Sequence, residues 1–462
     1  MFSESPAIAT YPNTEKTSSV ERYWQHVNPQ WVRLLDALDM NVHYVRASGV
    51  YLYTEDGRQI LDCLSGYCVH NTGHNHPYIV QALREELRAE GPAMVQSHIP
   101  DLAGELAQRL YENSGGSLEK VFFCSSGSEG VEAAIKYARA HTGRTGLMYA
   151  DGAFHGLTCG ALSLMGDPFW REGFGPMLPD AHQVPFGDLA ALEARLATKK
   201  IAALILEPLQ SEAGIRVPTP EYLQSAQSLC RKYGTVFVLD EVQTGLGRTG
   251  KFLAGHRYGV TPDMVILAKA LSGGLIPIGA VLMTNSIYRS VYDSLKRSIV
   301  HTSTYSENGL AMRAGLATLN VIRDEQLTQR SEQMGEYVRQ RLKHELAGYE
   351  MIKEIRGEGM LNGIEFIAPR QVKLRLAFEA FRHIHAGMFG QMVVMRLFRE
   401  HNILTQMCGN NFMVLKVAPP LTATEEQVER FVRSMRSVVE LIHTSASFWS
   451  DAVGLAMRVA NL

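Results

Sequence analysis

Two apolar runs in this chain each end on a charge. Thr235-Val-Phe-Val-Leu239 stops at Asp240, and Val265-Ile-Leu-Ala268 stops at Lys269. Short β-branched runs of this kind predict strands buried on both faces, as in a parallel sheet. Open α/β sheets bind ligands in the crevice outside the carboxyl ends of such strands. A lysine in an apolar setting is costly unless it has a task, and lysine amines form Schiff bases with carbonyl compounds. One acid and one lysine, both delivered by strand ends, predict an aldehyde cofactor held between them.

The elements that must position these groups can be read around them. Val121-Phe-Phe-Cys-Ser-Ser-Gly-Ser-Glu129 reads as strand, tight turn and helix start. Ser126, Gly127 and Ser128 then stand at a helix N-terminus, where free amides and the helix dipole favour an anion; a simple N-cap is the alternative. Gly152-Ala-Phe-His-Gly156 follows a predicted strand over Gly146–Ala150, with Phe154 and His155 at its centre. Taken alone, Phe154 is a core aromatic and His155 a turn residue. Ala202–Leu206 is a further buried strand, ending on Glu207. Strands alternate with helices from about residue 120 to 285, which predicts a mainly parallel, doubly wound α/β sheet.

Leu239-Asp-Glu-Val-Gln-Thr-Gly-Leu-Gly-Arg-Thr-Gly250, Pro262-Asp-Met-Val-Ile-Leu-Ala-Lys-Ala-Leu-Ser-Gly-Gly274 and Glu207-Pro-Leu-Gln210 occur in that family's order and spacing, and on them the chain resembles the class III (ω-amino) aminotransferases. That family includes ornithine, acetylornithine, putrescine and 4-aminobutyrate enzymes. The resemblance runs from about Val50 to Pro420. It implies pyridoxal 5′-phosphate as cofactor and the fold type I of transferases that use it, with a large domain and a smaller α+β domain. It implies a ping-pong transamination between an amine or ω-amino acid and a 2-oxo acid or aldehyde, with Lys269 as the Schiff-base lysine and proton carrier. By the same resemblance Asp240 pairs with the ring nitrogen, Phe154 stacks on the ring and His155 lies beside it. Gln243 stands near the ring hydroxyl with Glu207 behind it, and Ser126, Gly127 and Ser128 form the phosphate cup. Thr304, in His301-Thr-Ser-Thr-Tyr-Ser-Glu-Asn308, matches a threonine that reaches the cofactor phosphate of the neighbouring subunit, which implies a homodimer with composite active sites. Tyr67, Glu212 and Lys416 match substrate-side positions.

Two departures from the family pattern are visible. Ser306-Glu307 stands where a Gly-Gly pair is usual. Lys416, in Phe412-Met-Val-Leu-Lys-Val-Ala-Pro-Pro420, stands where an arginine usually grips a carboxylate. Arginine binds with a planar fork and lysine as a point charge, so carboxylate recognition is expected to be weaker or different. Glu212 matches a gating acid able to pair with that cation. Lys373 to Glu400 is rich in Phe and Met where the family has a shorter connection. It reads as extra core helix, or as a wall for a bulky apolar substrate or a membrane-docking surface. A large apolar, lipid-type carbonyl substrate, of the hopanoid kind, is therefore the alternative to small amines. Epimerisation and decarboxylation are the alternative chemistries.

The chain has 462 residues and a formal net charge of -2. Near-neutral charge gives no support for a nucleic-acid binder. Gly245 and Gly247 are followed by Arg-Thr-Gly, not by the full dinucleotide fingerprint. The six cysteines lack zinc-type spacing and predict reduced thiols in a cytoplasmic protein. His70, His74 and His76 lie close together, in a loop that resembles the family's Gly-His-x-His-Pro loop and needs no metal. The domain reading is a mobile arm over 1–18, a segment over 19–80 packing with the small domain, a large cofactor-binding domain over 81–324 and a small domain over 325–462. Tyr23–Met40 and 326–347 have helical spacing, Val50–Cys63 reads as a hairpin about Glu55-Asp-Gly57, Ile355–Phe366 as a loop and a strand, and 444–462 as a loose helix.

Overall fold

The computed structural model describes residues 18–95, 97–372, 374–376, 378–379, 387–444 and 448–449. Residues 1–17 of the arm over 1–18, most of the stretch beyond Thr444, and Phe381 and Ile384 of the Phe- and Met-rich stretch lie outside the described residues.

Fifteen strands form three sheets among the described residues. In chain order, β1 is Tyr44–Ser48, β2 is Tyr51–Thr54 and β3 is Gln59–Asp62. The large sheet uses β4 (Lys120–Cys124), β5 (Gly146–Ala150), β6 (Ala181–Val184), β7 (Ile201–Leu206), β8 (Val236–Asp240), β9 (Met264–Leu267) and β10 (Gly279–Met283). Two strands, β11 (Ile352–Glu358) and β12 (Leu361–Phe366), precede the short β13 (Ile403–Leu404), β14 (Gln406–Cys408) and β15 (Asn411–Val417).

The large sheet has the order β4-β10-β9-β8-β7-β5-β6. Pairings from β9 through β8, β7 and β5 to β6 are all parallel, and β10 runs antiparallel to both β9 and β4. Every residue of β7 and β8 is buried, because helices cover both faces of the sheet. The same arrangement brings the carboxyl ends of β4, β5, β7, β8 and β9 to one edge. Running the other way, β10 brings its incoming segment, Leu275–Ile278, to that edge as well.

The hairpin β2–β3 turns at Glu55–Gly57, as its spacing predicts. β3 also takes β13 as a parallel neighbour, so Leu61 and Ile403 share a sheet across the chain. Tyr23–Met40 is two helices, Ser19–His26 and Pro29–Ala37, because Asn28 caps the second and Pro29 opens it. Ile355–Phe366 is a correction: it belongs to a hairpin, β11 against β12, not to a loop and one strand. The tight turn at Gly359-Met360 places Gly359 at φ +50°, where a Cβ would collide with the backbone of Arg248–Gly250. Met388, Phe389, Met392 and Met395 lie on the helix Met388–His401 and are buried in the core. Phe378 is buried with them, whereas Leu376 of the same stretch is exposed.

Arg248 stitches these parts together. It is fully buried, with Nε and Nη2 donating to Asn71 Oδ1 at 3.1 and 2.6 Å, and Nη1 donating to the carbonyls of Met360 and Pro419. It joins the loop after β3, the β11–β12 turn and the segment after β15. Burial holds its pKa below the ordinary arginine range.

Candidate active site

A cavity of about 460 Å³ opens at the carboxyl edge of the large sheet. Asp240, the last residue of β8, and Lys269, two residues beyond β9, face it from adjacent strands. Lys269 opens a short 3-10 turn at φ +46°, a conformation that L-residues rarely adopt and that ordinarily needs support from its surroundings. Burial strips water from its amine and lowers its pKa, against the opposing pull of Cys68, Glu212 and Asp240.

Asp240 is buried and doubly held. Its Oδ2 lies 2.8 Å from His155 Nδ1, and its Oδ1 accepts from the Val242 amide at 3.1 Å. Burial of His155 works against its charged form, but the hydrogen bond and charge of Asp240 outweigh it and raise its pKa. Behind this pair, burial pushes the Glu207 carboxyl up to about 7 despite the opposing charge of His155. Its Oε1 accepts from the Phe154 amide at 3.1 Å, which ties β7 to the Gly152–Gly156 loop.

The opposite wall is the start of the helix Gly127–Thr142. Ser126 is its N-cap and accepts from the Glu129 amide at 3.2 Å. Gly127 and Ser128 supply first-turn amides without intrahelical acceptors. A Cβ on Gly127 would lie 2.8 Å from Val242 Cγ2, so only glycine leaves this approach bare. Phe154 lines the cavity, and Trp170 meets it edge-on with ring centres 5.4 Å apart.

Tyr67, Glu212 and Lys416, which match substrate-side positions by resemblance, do not line the cavity but connect to it through Gln243. Gln243 lines the cavity, and its Nε2 donates to Glu212 Oε1 at 3.0 Å. The same carboxylate forms a buried ion pair with Lys416, and its Oε2 accepts from the Gly409 amide at 2.9 Å. Burial opposes the charge on both partners, yet their attraction wins: the Glu212 carboxyl is held below the ordinary range and the Lys416 ammonium above it. Tyr67 lies over Lys416, 5.3 Å from ring centre to Nζ. Thr304 is exposed and is not part of this cavity. Glu307 sits with Pro92 and His98 in a separate surface cleft. His74 and His76 pair with Asp62 and Glu325, each at 2.8 Å, and no group of metal-ligating side chains occurs among the described residues.

The cavity also uses residues that pattern reading passed over. Ser125, Val242, Thr244 and Ser272 line it from within the same motifs, and Leu275–Ile278 come with the antiparallel β10. Val242 lies between Asp240 and Gln243 in sequence, and that adjacency is the available signal.

The Glu212–Lys416 pair makes a testable prediction about stability. Glu212 is depressed, so its contribution is complete above the ordinary carboxylate range and is lost as pH falls through its folded value. Lys416 is raised, so its contribution is complete below its unfolded value and is lost in strong alkali. Denaturant midpoints measured from roughly pH 6 down to pH 2 should fall more steeply for the native protein than for Glu212→Gln combined with Lys416→Met. Parallel curves would show that the pair carries none of the acid sensitivity.

A sequence profile described as aminotransferase class-III matches residues 36–439. The chain belongs to the class III aminotransferases. Among relatives, the aminotransferase PigE of Serratia sp. (strain ATCC 39006) is 37% identical over 468 residues, covering 95% of this chain and 55% of that protein. The chain therefore spans about half the length of that curated relative. The ornithine aminotransferase of Toxoplasma gondii has the same fold, with a TM-score of 0.78 at 27% identity over 93% of this chain and 99% of that one. The acetylornithine aminotransferase of Elizabethkingia anophelis gives 0.70 at 30% identity, over 89% and 98%. In this class III aminotransferase, the mainly parallel sheet with Asp240 and Lys269 at its edge is the large sheet of transferase fold type I.

Proposed function

We propose that the chain transfers an amino group between an amine or ω-amino acid and a 2-oxo acid or aldehyde, using pyridoxal 5′-phosphate. The observation that carries this reading is the convergence, in one cavity, of a lysine with a lowered pKa, a buried carboxylate and an open helix N-terminus. The cavity residues fit that group. Gln243 Oε1 is buried there without a hydrogen-bond partner, and bare amides at Gly127 and Ser128 suit a phosphate. When bound, the cofactor supplies an aldehyde to join the amine and a ring that takes up the electron pair of the adjacent C–H bond.

Lys269 Nζ would hold the cofactor, then take the proton from the substrate carbon beside the nitrogen and deliver it to the cofactor's former aldehyde carbon. A lowered pKa keeps part of the amine neutral, as both tasks need. Asp240 would keep a proton on the ring nitrogen through a charge-assisted bond, with His155 fixing the orientation of its carboxylate. Phe154 would cover the ring face and Gln243 would meet the ring hydroxyl, with Glu207 behind. Ser126, Gly127 and Ser128 would take the phosphate. Tyr67, Glu212 and Lys416 would meet the far end of the substrate.

We assign 81–324 as the cofactor-holding unit and 325–462 with 19–80 as the smaller one, supported by the β3–β13 pairing. A second copy of the chain would cover Ile99 and Leu295, which are 86% and 95% exposed, and bring Thr304 to the neighbouring cavity. Light scattering should then give a dimer mass. All six cysteines are free thiols, which suits the cytoplasm. No helix among the described residues is long and apolar enough to cross a membrane.

The visible spectrum tests the reaction. Protein loaded with pyridoxal phosphate should absorb in the visible, and adding its amine donor without an acceptor should bleach that band. Glutamate, ornithine, putrescine and alanine form the first panel. A protein that shows no band after reconstitution would overturn the reading.

A further inference from the structure

Ser65, Gly66, Tyr67 and Cys68 all lie in the left-handed region, at φ +53°, +59°, +60° and +68°. This conformation pushes Cβ towards the following carbonyl, so L-residues seldom adopt it in succession. A run of four, three of them not glycine, persists only where its surroundings over-determine it.

Asp62, buried at the end of β3, does much of the holding. Its Oδ1 accepts from the amides of Leu64 and Ser65, both at 2.8 Å. Its Oδ2 lies 2.8 Å from His74 Nε2, so both oxygens are fastened. Ser65 Oγ then donates to the Ala418 carbonyl at 2.6 Å, which pins the turn to the segment after β15.

The turn delivers three side chains. Tyr67 lies over Lys416, Cys68 is buried in one apolar cluster with Ile215 and Cys408, and Val69 lines the cavity. A right-handed turn would wind these side chains the other way and take Tyr67 off the Glu212–Lys416 pair. We propose that Asp62 is a positioning residue: it holds the Ser65–Cys68 turn left-handed and so sets Tyr67 against the Glu212–Lys416 pair, where the far end of the substrate binds. This inference rests on the transaminase reading of the cavity.

The test compares Asp62→Ala, Asp62→Asn, Tyr67→Ala and the double variant Asp62→Ala with Tyr67→Ala. Asp62→Ala should lower kcat/KM by about 100-fold, mainly through KM. Asp62→Asn should restore most of the loss, because its amide oxygen can still accept from Leu64 and Ser65. The double variant should be no worse than the poorer single one, since Asp62 acts through Tyr67. Additive losses would overturn the proposal. Alkylation of the folded protein, read peptide by peptide, gives a measure that needs no turnover. Cys68 should become reactive in Asp62→Ala while Cys63 and Cys230 stay protected. Continued protection of Cys68, or simultaneous exposure of all three, would overturn the proposal. If the native protein proves not to be a transaminase, the Cys68 result still decides how the turn is held.

Discussion

Lys269→Ala is expected to abolish turnover, with kcat falling by at least about 10⁴-fold, the upper range for losing a positioned acid–base group. On the proposed reading, the substitution would remove two functions together: the covalent anchor for the cofactor and the amine that carries the proton. Lys269→Arg should be equally inactive. A guanidinium keeps its positive charge at any working pH and can neither attack a carbonyl nor accept a proton. Stability should move the other way. Burial lowers the Lys269 pKa, so the folded state pays for the charge that alanine would remove. Alanine at φ +46° meets the same backbone cost as lysine, and the melting temperature of the cofactor-free protein should hold or rise. An inactive variant that is no less stable separates chemistry from folding. Normal transaminase activity in Lys269→Ala would dismantle the site assignment.

Asp240→Asn should leave the fold intact and lower kcat by about 10³-fold, the scale for removing one preorganised electrostatic contact. The amide oxygen can still accept from Val242, so the loop after β8 keeps its anchor. What disappears is the negative charge. His155 loses the partner that raises its pKa, and the ring nitrogen loses the anion that would keep it protonated. The expected signature is a large drop in kcat with little change in KM, together with an altered absorbance of the bound cofactor. An unchanged kcat would mean that another acid serves the ring.

Much of this site is local in sequence. The runs that became β7, β8 and β9 are short, β-branched and fully buried, so hydrophobicity alone marks them. The Ser126 turn was legible because strand, cap and helix lie within about ten residues. Elsewhere the local signal misled. β11 carries Lys353, Glu354 and Arg356 on partly exposed faces, so it lacks the apolar alternation that marks a strand and reads as a loop. The Ser65–Cys68 turn left no trace in composition, since Ser, Tyr and Cys do not ordinarily take positive φ. It exists because Asp62 and Ala418, far apart in the chain, meet across it.

The amino-acid sequence by itself determined the class of fold, the strand ends that present Asp240 and Lys269, and the glycine at position 127. Each depends on a residue type acting within a few neighbours: apolar burial, a lysine at a strand end, or the absence of a Cβ. Only the tertiary structure decided that Lys416 is spent on Glu212, that β10 runs antiparallel, that the Met-rich helix Met388–His401 is core, and that Asp62 holds a left-handed turn under Tyr67. These are meetings between residues up to some 350 positions apart, and their energies exist only once the chain has closed around them.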